Sequence, residues 1–411
     1  MKIWIVTVGE PIPSDGEDIR LYRSGIMCQK LSNLGHEVTW LNSRFDHTRK
    51  ILRTSKLDLT TPEGAKIVLL ESPAYAKNVS VRRLWNHIQL LRSFNIYSKN
   101  AVAPNVILCS FPPVELSWAA VRYGKRNNIP VIVDVRDLWP DIFSDAVPSW
   151  LKPLAKLALT PLNLMTRSLF ESATEITGVS NGYLAWGVEK SGRKQRENEK
   201  AVPLAYKSEK KLSVGNETAA SLSALGVDST KRIVLFIGSF GRTYDLSPVF
   251  KALKHWSDAE RDSIQFVLAG DGELFSHWLS LSENENSTIL PGWLNQSQIS
   301  YLMSISEVGL AAYSENAPQS IPNKIIEYLS HGLPILSSLE GETAAMIKEF
   351  RVGQSYSASN PESFSLGLRK LIEDRSFDAA TRCRTLYEKR FNADKVYDEF
   401  IEHIENLASP E

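Results

Sequence analysis

The sequence predicts an α/β protein built of two doubly wound, Rossmann-like domains facing across a cleft. Short apolar runs alternate with stretches of helical period from the first residues onward, the pattern of a sheet whose strands are joined by helices. That alternation stops once, in a charged and turn-rich region, and then starts again. At 411 residues the chain is also longer than one ordinary core supports.

In the first half the strands fall at Lys2–Val8, Glu37–Leu41, Lys66–Leu70, Asn105–Ser110, Val131–Val135 and Glu175–Val179. Between them, Arg20–Leu34 places Leu21, Ile26, Met27, Leu31 and Leu34 on one helical face, and Gly35 ends it. Further helices are expected near Leu84–Phe94 and Val114–Arg126. The charged loop Ser191–Glu199 and the polar stretch Lys207–Leu225 mark the linker. Strands then resume at Arg232–Gly238, Ser263–Gly270 and Val308–Tyr313, with helices near Leu246–Trp256, Glu273–Leu281 and Ile299–Ser304. The expected domains are therefore 1–205 and 206–390, with a final helix in 391–411 returning to the first.

The chemistry concentrates in Ser314–Ser338. A strand before it and another at Pro334–Ser338 bracket a short helix from about Pro322 to His331, with Ser320 as candidate N-cap, Gly332 at the exit and Pro334 barring continuation. Its start brings Ser320, Asn323 and Lys324 beside unpaired backbone N–H groups and the positive end of the helix dipole, a setting for phosphate. Glu327 lies three residues beyond Lys324 and four beyond Asn323, hence on their face. A diphosphate on the helix tip with ribose hydroxyls on Glu327 fits that spacing. An exposed Lys–Glu pair on an ordinary helix fits it too.

Composition removes several classes. Basic and acidic residues balance at 47 each, so nothing draws the whole chain to nucleic acid. Cys28, Cys109 and Cys383 have neither disulfide nor metal-ligand spacing, as expected of a reduced, cytoplasmic protein. No secretion signal or membrane span is visible. A dehydrogenase is disfavoured because neither Gly9-Glu10-Pro11 nor Gly270-Asp271-Gly272 completes a dinucleotide fingerprint, and no P-loop is present.

Six stretches together carry a family likeness: LYRSGIMCQKLSNLGHEVTWLNS from Leu21, VIVDVRDLWPD from Val131, FIGSFGR from Phe236, FVLAGDGE from Phe266, LPGWLNQSQISYLMSISEVGLAAY from Leu290 and SIPNKIIEYLSHGLPIL from Ser320. The chain resembles the family 4 glycosyltransferases of the glycosyltransferase-B fold. It is most similar to the bacterial surface-polysaccharide (O-antigen and capsule) subgroup, including L-fucosamine transferases. The resemblance implies an acceptor-binding first domain, a donor-binding second domain, and metal-independent transfer of a hexosyl or N-acetylhexosaminyl group with retention. It also implies a nucleotide-sugar donor, UDP-linked, as co-substrate with no cofactor, and an undecaprenyl-diphosphate-linked saccharide as acceptor. The enzyme would work in the cytoplasm at the inner membrane surface. A nucleotide-sugar epimerase of the same fold and a catalytically silent glycan-binding subunit are the alternatives.

By the same resemblance Glu327 is the second glutamate of an E-x7-E motif and holds the donor ribose, while Gln319 replaces the first. Arg242 resembles the diphosphate-binding arginine. Its usual lysine partner is missing from Thr243–Leu246, so the second cation is assigned to Lys324. Gly270 belongs to the donor loops, and Trp293 lies where the nucleobase is read, as a stacking platform or as simple core packing. On the acceptor side, Asp137 follows a strand end and Arg136 stands where many members carry histidine. Asp134 to Asp137 also has the carboxylates of a weak divalent-metal candidate, but no metal is expected. The loop Gly9–Asp18 can bring backbone to a sugar, with Arg20 or Arg23 for an acceptor phosphate. Val81–Lys99 and Trp150–Met165 mix basic with apolar residues as interfacial helices do, and as helices packed on a sheet also do.

Overall fold

The computed structural model describes the whole chain except residues 17–18, 78–79, 146, 208–215, 284, 316, 374–377 and 409–411. Glu17 and Asp18 of the first loop, and residues 208–215 of the expected Lys207–Leu225 linker, thus lie outside the described residues, while Asn216–Ala224 of that stretch forms a helix where a turn-rich linker was expected. The chain divides into two compact units, Met1–Pro203 with Lys395–Glu411, and Leu204–Asp394.

The first unit contains β1 (Lys2–Val6), β2 (Glu37–Ser43), the ribbon β3 (Phe45–Asp46) and β4 (Ile51–Leu52), β5 (Asp58–Thr60), β6 (Lys66–Leu70), β7 (Val106–Phe111), β8 (Val131–Val135) and β9 (Glu175–Gly178). Its seven-stranded sheet runs β5-β6-β2-β1-β7-β8-β9, parallel except where β5 meets β6. The central strand β1 is registered with Trp4 opposite Thr39 on one side and Ile107 on the other. Helices cover both faces, which is why these strands read as unbroken apolar runs. Trp4, for example, stacks on Tyr123 with centroids 5.3 Å apart. Because the strands are parallel, the segments after β1, β2, β6, β7 and β8 gather at one end of the sheet, where folds of this kind bind ligands.

The carboxyl-terminal helix, Ala393–Ala408, returns to this unit through polar contacts. Lys30 meets Asp398 at 2.8 Å, His36 meets Glu405 at 2.7 Å and His403 meets Glu175 at 2.5 Å.

The second unit holds β10 (Arg232–Ile237), β11 (Ile264–Ala269), β12 (Thr288–Gly292), β13 (Ser306–Ala311), β14 (Ile335–Ser337) and β15 (Gly353–Ser355), ordered β12-β11-β10-β13-β14-β15. All of its pairings are parallel. The apolar pattern does not reveal the two edge strands. β12 carries Pro291, tolerated at an edge, and β15 reads Gly-Gln-Ser. At Gly353 a Cβ would come 2.0 Å from the Ile335 carbonyl oxygen, so the close pairing there admits only glycine.

Helix ends shift where capping differs from the sequence reading. The helix expected at Leu84–Phe94 spans Val81–Asn100, because the Ser80 side chain accepts the Arg83 N–H and starts it earlier. All three cysteines are buried free thiols, and burial pushes each up to about 12.

Candidate functional site

The short helix after β13 spans Asn323–His331, with Gly332 leaving it in the left-handed conformation at φ 78°. Ser320 is not its N-cap. Pro322 occupies that position without a side-chain cap bond, while the Ser320 hydroxyl is buried and lacks a hydrogen-bond partner among the described residues. The helix is anchored by Tyr328, whose hydroxyl takes the Ile237 N–H at 3.1 Å and lies 3.0 Å from the Leu235 carbonyl. That ring fits because residue 309 is glycine, where a Cβ would stand 2.5 Å from it. The middle of this helix and the end of β10 are thereby locked together.

Lys324 is the unusual member of this site. Only 8% exposed, its ammonium has no hydrogen-bond partner among the described residues. It lies 3.9 Å from the ring centroids of both Phe236 and Tyr244 and 5.3 Å from that of Tyr313. Gly238 makes room for it, since a Cβ there would meet Nζ at 2.7 Å. Burial drives its pKa well below the ordinary lysine value, and the Glu327 carboxylate one turn along only partly opposes this. Tyr244 comes from the segment where the resemblance leads one to expect a second cation, so an aromatic wall stands there and the ammonium reaches it from the helix.

Around this point the loops interlock through backbone. Gly238 N–H donates to Ala269 at 3.1 Å, Phe240 to Asp271 at 2.9 Å and Gly270 to Gly292 at 2.8 Å. Gly270, at φ 142°, admits no side chain, because a Cβ would fall 1.8 Å from the Gly238 carbonyl oxygen. Arg242 extends from the first of these loops into solvent and donates to Glu273 at 2.7 and 3.1 Å. Glu273 raises the arginine pKa, first by hydrogen bonding and then by charge. Gln319 and Asn323 are half-buried, the Gln319 side-chain oxygen lacking a partner among the described residues, and Glu327 is buried on the helix face. Trp293 is 80% exposed, which removes the core-packing reading of that residue. The contributions of Phe236, Tyr244, Tyr313 and Glu273 were not singled out by sequence. Their signal was their place at the end of β10, for Phe236, and in the segments after β10, β11 and β13 for Tyr244, Glu273 and Tyr313.

In the first unit the acceptor-side arginines are committed elsewhere. Arg23 is buried; its Nη1 donates to both Asp134 oxygens at 2.8 Å and its Nη2 to the carbonyls of Val202 and Pro203. Arg136 donates to Asp134 at 2.8 Å, to Glu10, and to the Ser24 hydroxyl at 3.2 Å. Both therefore act as struts, not as acceptor ligands, because an unpaired Asp134 or Glu10 in this interior would be costly. Burial alone would raise the Asp134 carboxyl, but Arg23 and then Arg136 outweigh it and hold it below its ordinary value. Thr177 completes its shell at 3.1 Å, so the metal candidate at Asp134 has its carboxylate already occupied. Asp137 accepts from the Leu138 N–H at 2.8 Å and the Trp139 indole at 3.1 Å, and burial raises its pKa against those contacts and Arg83. Arg20 packs its guanidinium 5.7 Å from the Tyr22 ring, and Gly9, at φ 88°, has open space on its Cβ side.

Two doubly wound units in series are the glycosyltransferase-B fold, and solved structures share it across nearly the whole chain. Sucrose-phosphate synthase from Thermosynechococcus elongatus superposes with a TM-score of 0.74 at 13% identity, over 99% of this chain and 98% of that one. Anabaena HepE in complex with UDP gives 0.66 at 12% identity over 99% and 100%. WaaG, a glycosyltransferase involved in lipopolysaccharide biosynthesis, gives 0.65 at 13% identity over 98% and 99%. At such identities these likenesses establish the fold. Residues 219–390, which include the Asn323–His331 helix and its loops, match the family described as Glycosyl transferases group 1. No curated protein sequence matches the chain.

Proposed function

We propose that the protein is a retaining, metal-independent glycosyltransferase, hexosyl or N-acetylhexosaminyl in type, using a UDP-linked or similar nucleotide-sugar donor. The observation that carries this reading is the unpartnered, buried Lys324 ammonium at the tip of a helix that bears Glu327 one turn on, inside the stretch matching the glycosyltransferase group 1 family. Cleaving a sugar–diphosphate bond builds negative charge on the departing oxygens, and pre-aimed cationic groups lower that barrier most. Lys324 and the helix tip supply them, with Arg242 released from its exposed and therefore weak pair with Glu273. Glu327 holds the ribose, Ser320, Asn323 and Gln319 face the phosphates and sugar, and Trp293 stacks on the base. In the first unit, Asp137 orients the acceptor hydroxyl. The departing phosphate accepts its proton, so no protein nucleophile is required.

The acceptor we favour is a lipid-linked saccharide of surface polysaccharide synthesis, reached from the cytoplasmic face of the inner membrane. Exposed apolar side chains beside lysines support this: Trp150, Leu154, Leu157 and Leu164 flank Lys152 and Lys156. Among the described residues no helix is long and apolar enough to cross a membrane.

A thermal-shift panel of nucleotide sugars tests the donor half. A true donor at 100 times its Kd adds about 2.7 kcal/mol of stability. Glu327→Ala should lose that shift and turnover together, and wild-type activity in this variant would remove the ribose assignment.

A further inference from the structure

A second concavity lies in the second unit, at the outer edge of its sheet. There β15 comes last in the strand order, with β14 as its one neighbour in the sheet. The Ile335 N–H donates to the Val352 carbonyl and the Tyr356 N–H to the Ser337 carbonyl, both at 2.9 Å. Backbone groups alternate sides along a strand, so Gly353 and Ser355 turn their N–H and C=O groups away from β14. These residues line a cavity of about 730 Å³, a volume that takes a small organic ligand. The helix Gly341–Phe350, the end of the helix Pro361–Glu373 and the start of the helix Asp378–Arg390 supply its other walls.

Three cations line this cavity, Lys348, Arg351 and Arg382, and among its described lining residues none is Asp or Glu. Arg382 is engaged: its Nη1 donates to Asp378 at 2.8 Å and its Nε to the Arg351 carbonyl at 2.9 Å. The Asp378 side chain is mostly exposed, which makes that ion pair weak. Lys348 and the Arg351 guanidinium have no hydrogen-bond or ion-pair partner among the described residues. Arg351 moreover ends its helix at φ 52°, in the left-handed conformation where glycine is the usual residue. A guanidinium therefore stands at the cavity against the preference of its own backbone. The described lining residues include no aromatic ring on which a nucleobase could stack, whereas Gln354, Ser355 and the free strand edge offer polar partners to hydroxyls.

The same wall reaches the donor loop. In the first turn of the Gly341–Phe350 helix, the Thr343 hydroxyl donates to the Ser320 carbonyl. At its far end, Ile347, Lys348 and Arg351 line the cavity. One helix of ten residues, about 15 Å long, thus touches both places.

We propose that this cavity is an effector site for a small sugar phosphate, separate from the donor-binding helix. Lys348, Arg351 and Arg382 hold the phosphoryl group, and the free edge of β15 with Gln354 and Ser355 holds the sugar hydroxyls. Occupancy orders the end of the Gly341–Phe350 helix and is felt through Thr343 at Ser320. The inference goes beyond the transferase reading and does not depend on which donor that reaction uses.

The test is calorimetric titration of the full chain, at matched ionic strength, with a hexose 6-phosphate, the neutral hexose and AMP. The hexose 6-phosphate should bind, AMP more weakly, and the neutral hexose not at all. Arg351→Gly suits the left-handed backbone, so its denaturant midpoint should not fall, yet it should bind the hexose 6-phosphate about 10-fold or more weakly. Lys348→Gln should weaken binding similarly. Lys324→Met, altered at the donor-binding helix, should bind this probe as the parent does. Hydrogen exchange locates the site: the outward amides of Gly353 and Ser355 should slow when the hexose 6-phosphate is bound, and the slowing should extend to Gln319–Ile321. The site is overturned if the hexose 6-phosphate does not bind, if the neutral hexose or AMP binds as tightly, if both cavity variants bind as the parent does, if Lys324→Met abolishes binding, or if the two edge amides are unaffected. Slowing at β15 with none at Gln319–Ile321 overturns the effector role.

Discussion

Lys324→Met removes one charge and little volume, and its effects on folding and on ligand binding should have opposite signs. In the folded chain the ammonium is walled in by Phe236, Tyr244 and Tyr313 and is driven well below its ordinary pKa of 10.5. Unfolded, the same lysine keeps its proton up to that ordinary value. Between the two pKa values the unfolded state therefore binds one proton more, and stability rises with pH by about 1.4 kcal/mol per unit from this group alone. Below the folded-state value the full penalty persists without slope, and above 10.5 it is gone. A methionine side chain in this position carries no such penalty, so the variant should be more stable than the parent at pH 7 and its denaturant midpoint should lack that rise. Donor binding should go the other way. A lost hydrogen bond to a charged group, about 1.5–3 kcal/mol, corresponds to UDP affinity about 10- to 100-fold weaker. An incoming diphosphate should also return the proton, so calorimetry of the parent in buffers of different ionisation enthalpy should show proton uptake that the variant lacks. A variant with the parent's pH slope and the parent's UDP affinity would refute the placement of this ammonium at the phosphates.

Three further outcomes are expected. Arg23→Met strips Asp134 of its bidentate partner and should cost about 3 kcal/mol, at the low end for a broken buried pair because Arg136 and Thr177 remain; urea unfolding measures it, and a loss under about 1 kcal/mol would contradict the strut role. Trp293→Ala should leave stability within about 0.5 kcal/mol, since the ring is exposed, yet weaken UDP binding by the about 1–3 kcal/mol of base stacking; an unchanged affinity removes the stacking role. Flotation with anionic liposomes should carry the parent upward and leave a Trp150→Ser, Leu157→Ser double variant behind, whereas no flotation by the parent retires membrane docking.

Local pattern was enough for the elements themselves. Apolar runs and helical period depend only on neighbouring residues, so the strands of both sheets' interiors and the Asn323–His331 helix with its Gly332 exit could be read directly, as could the shared face of Lys324 and Glu327. Partner choice is another matter. Arg23 and Asp134 are 111 positions apart and meet only because β1 and β8 lie on either side of β7, which turned two arginines expected to face an acceptor into the braces of a buried carboxylate. Strand order likewise brought His47, Tyr75, Arg83 and Trp139 to one cavity and set Tyr244 against Lys324. The physical reason is range. Backbone periodicity is written residue by residue, while the environment of a long charged side chain is decided by which distant loops emerge at the same end of a sheet.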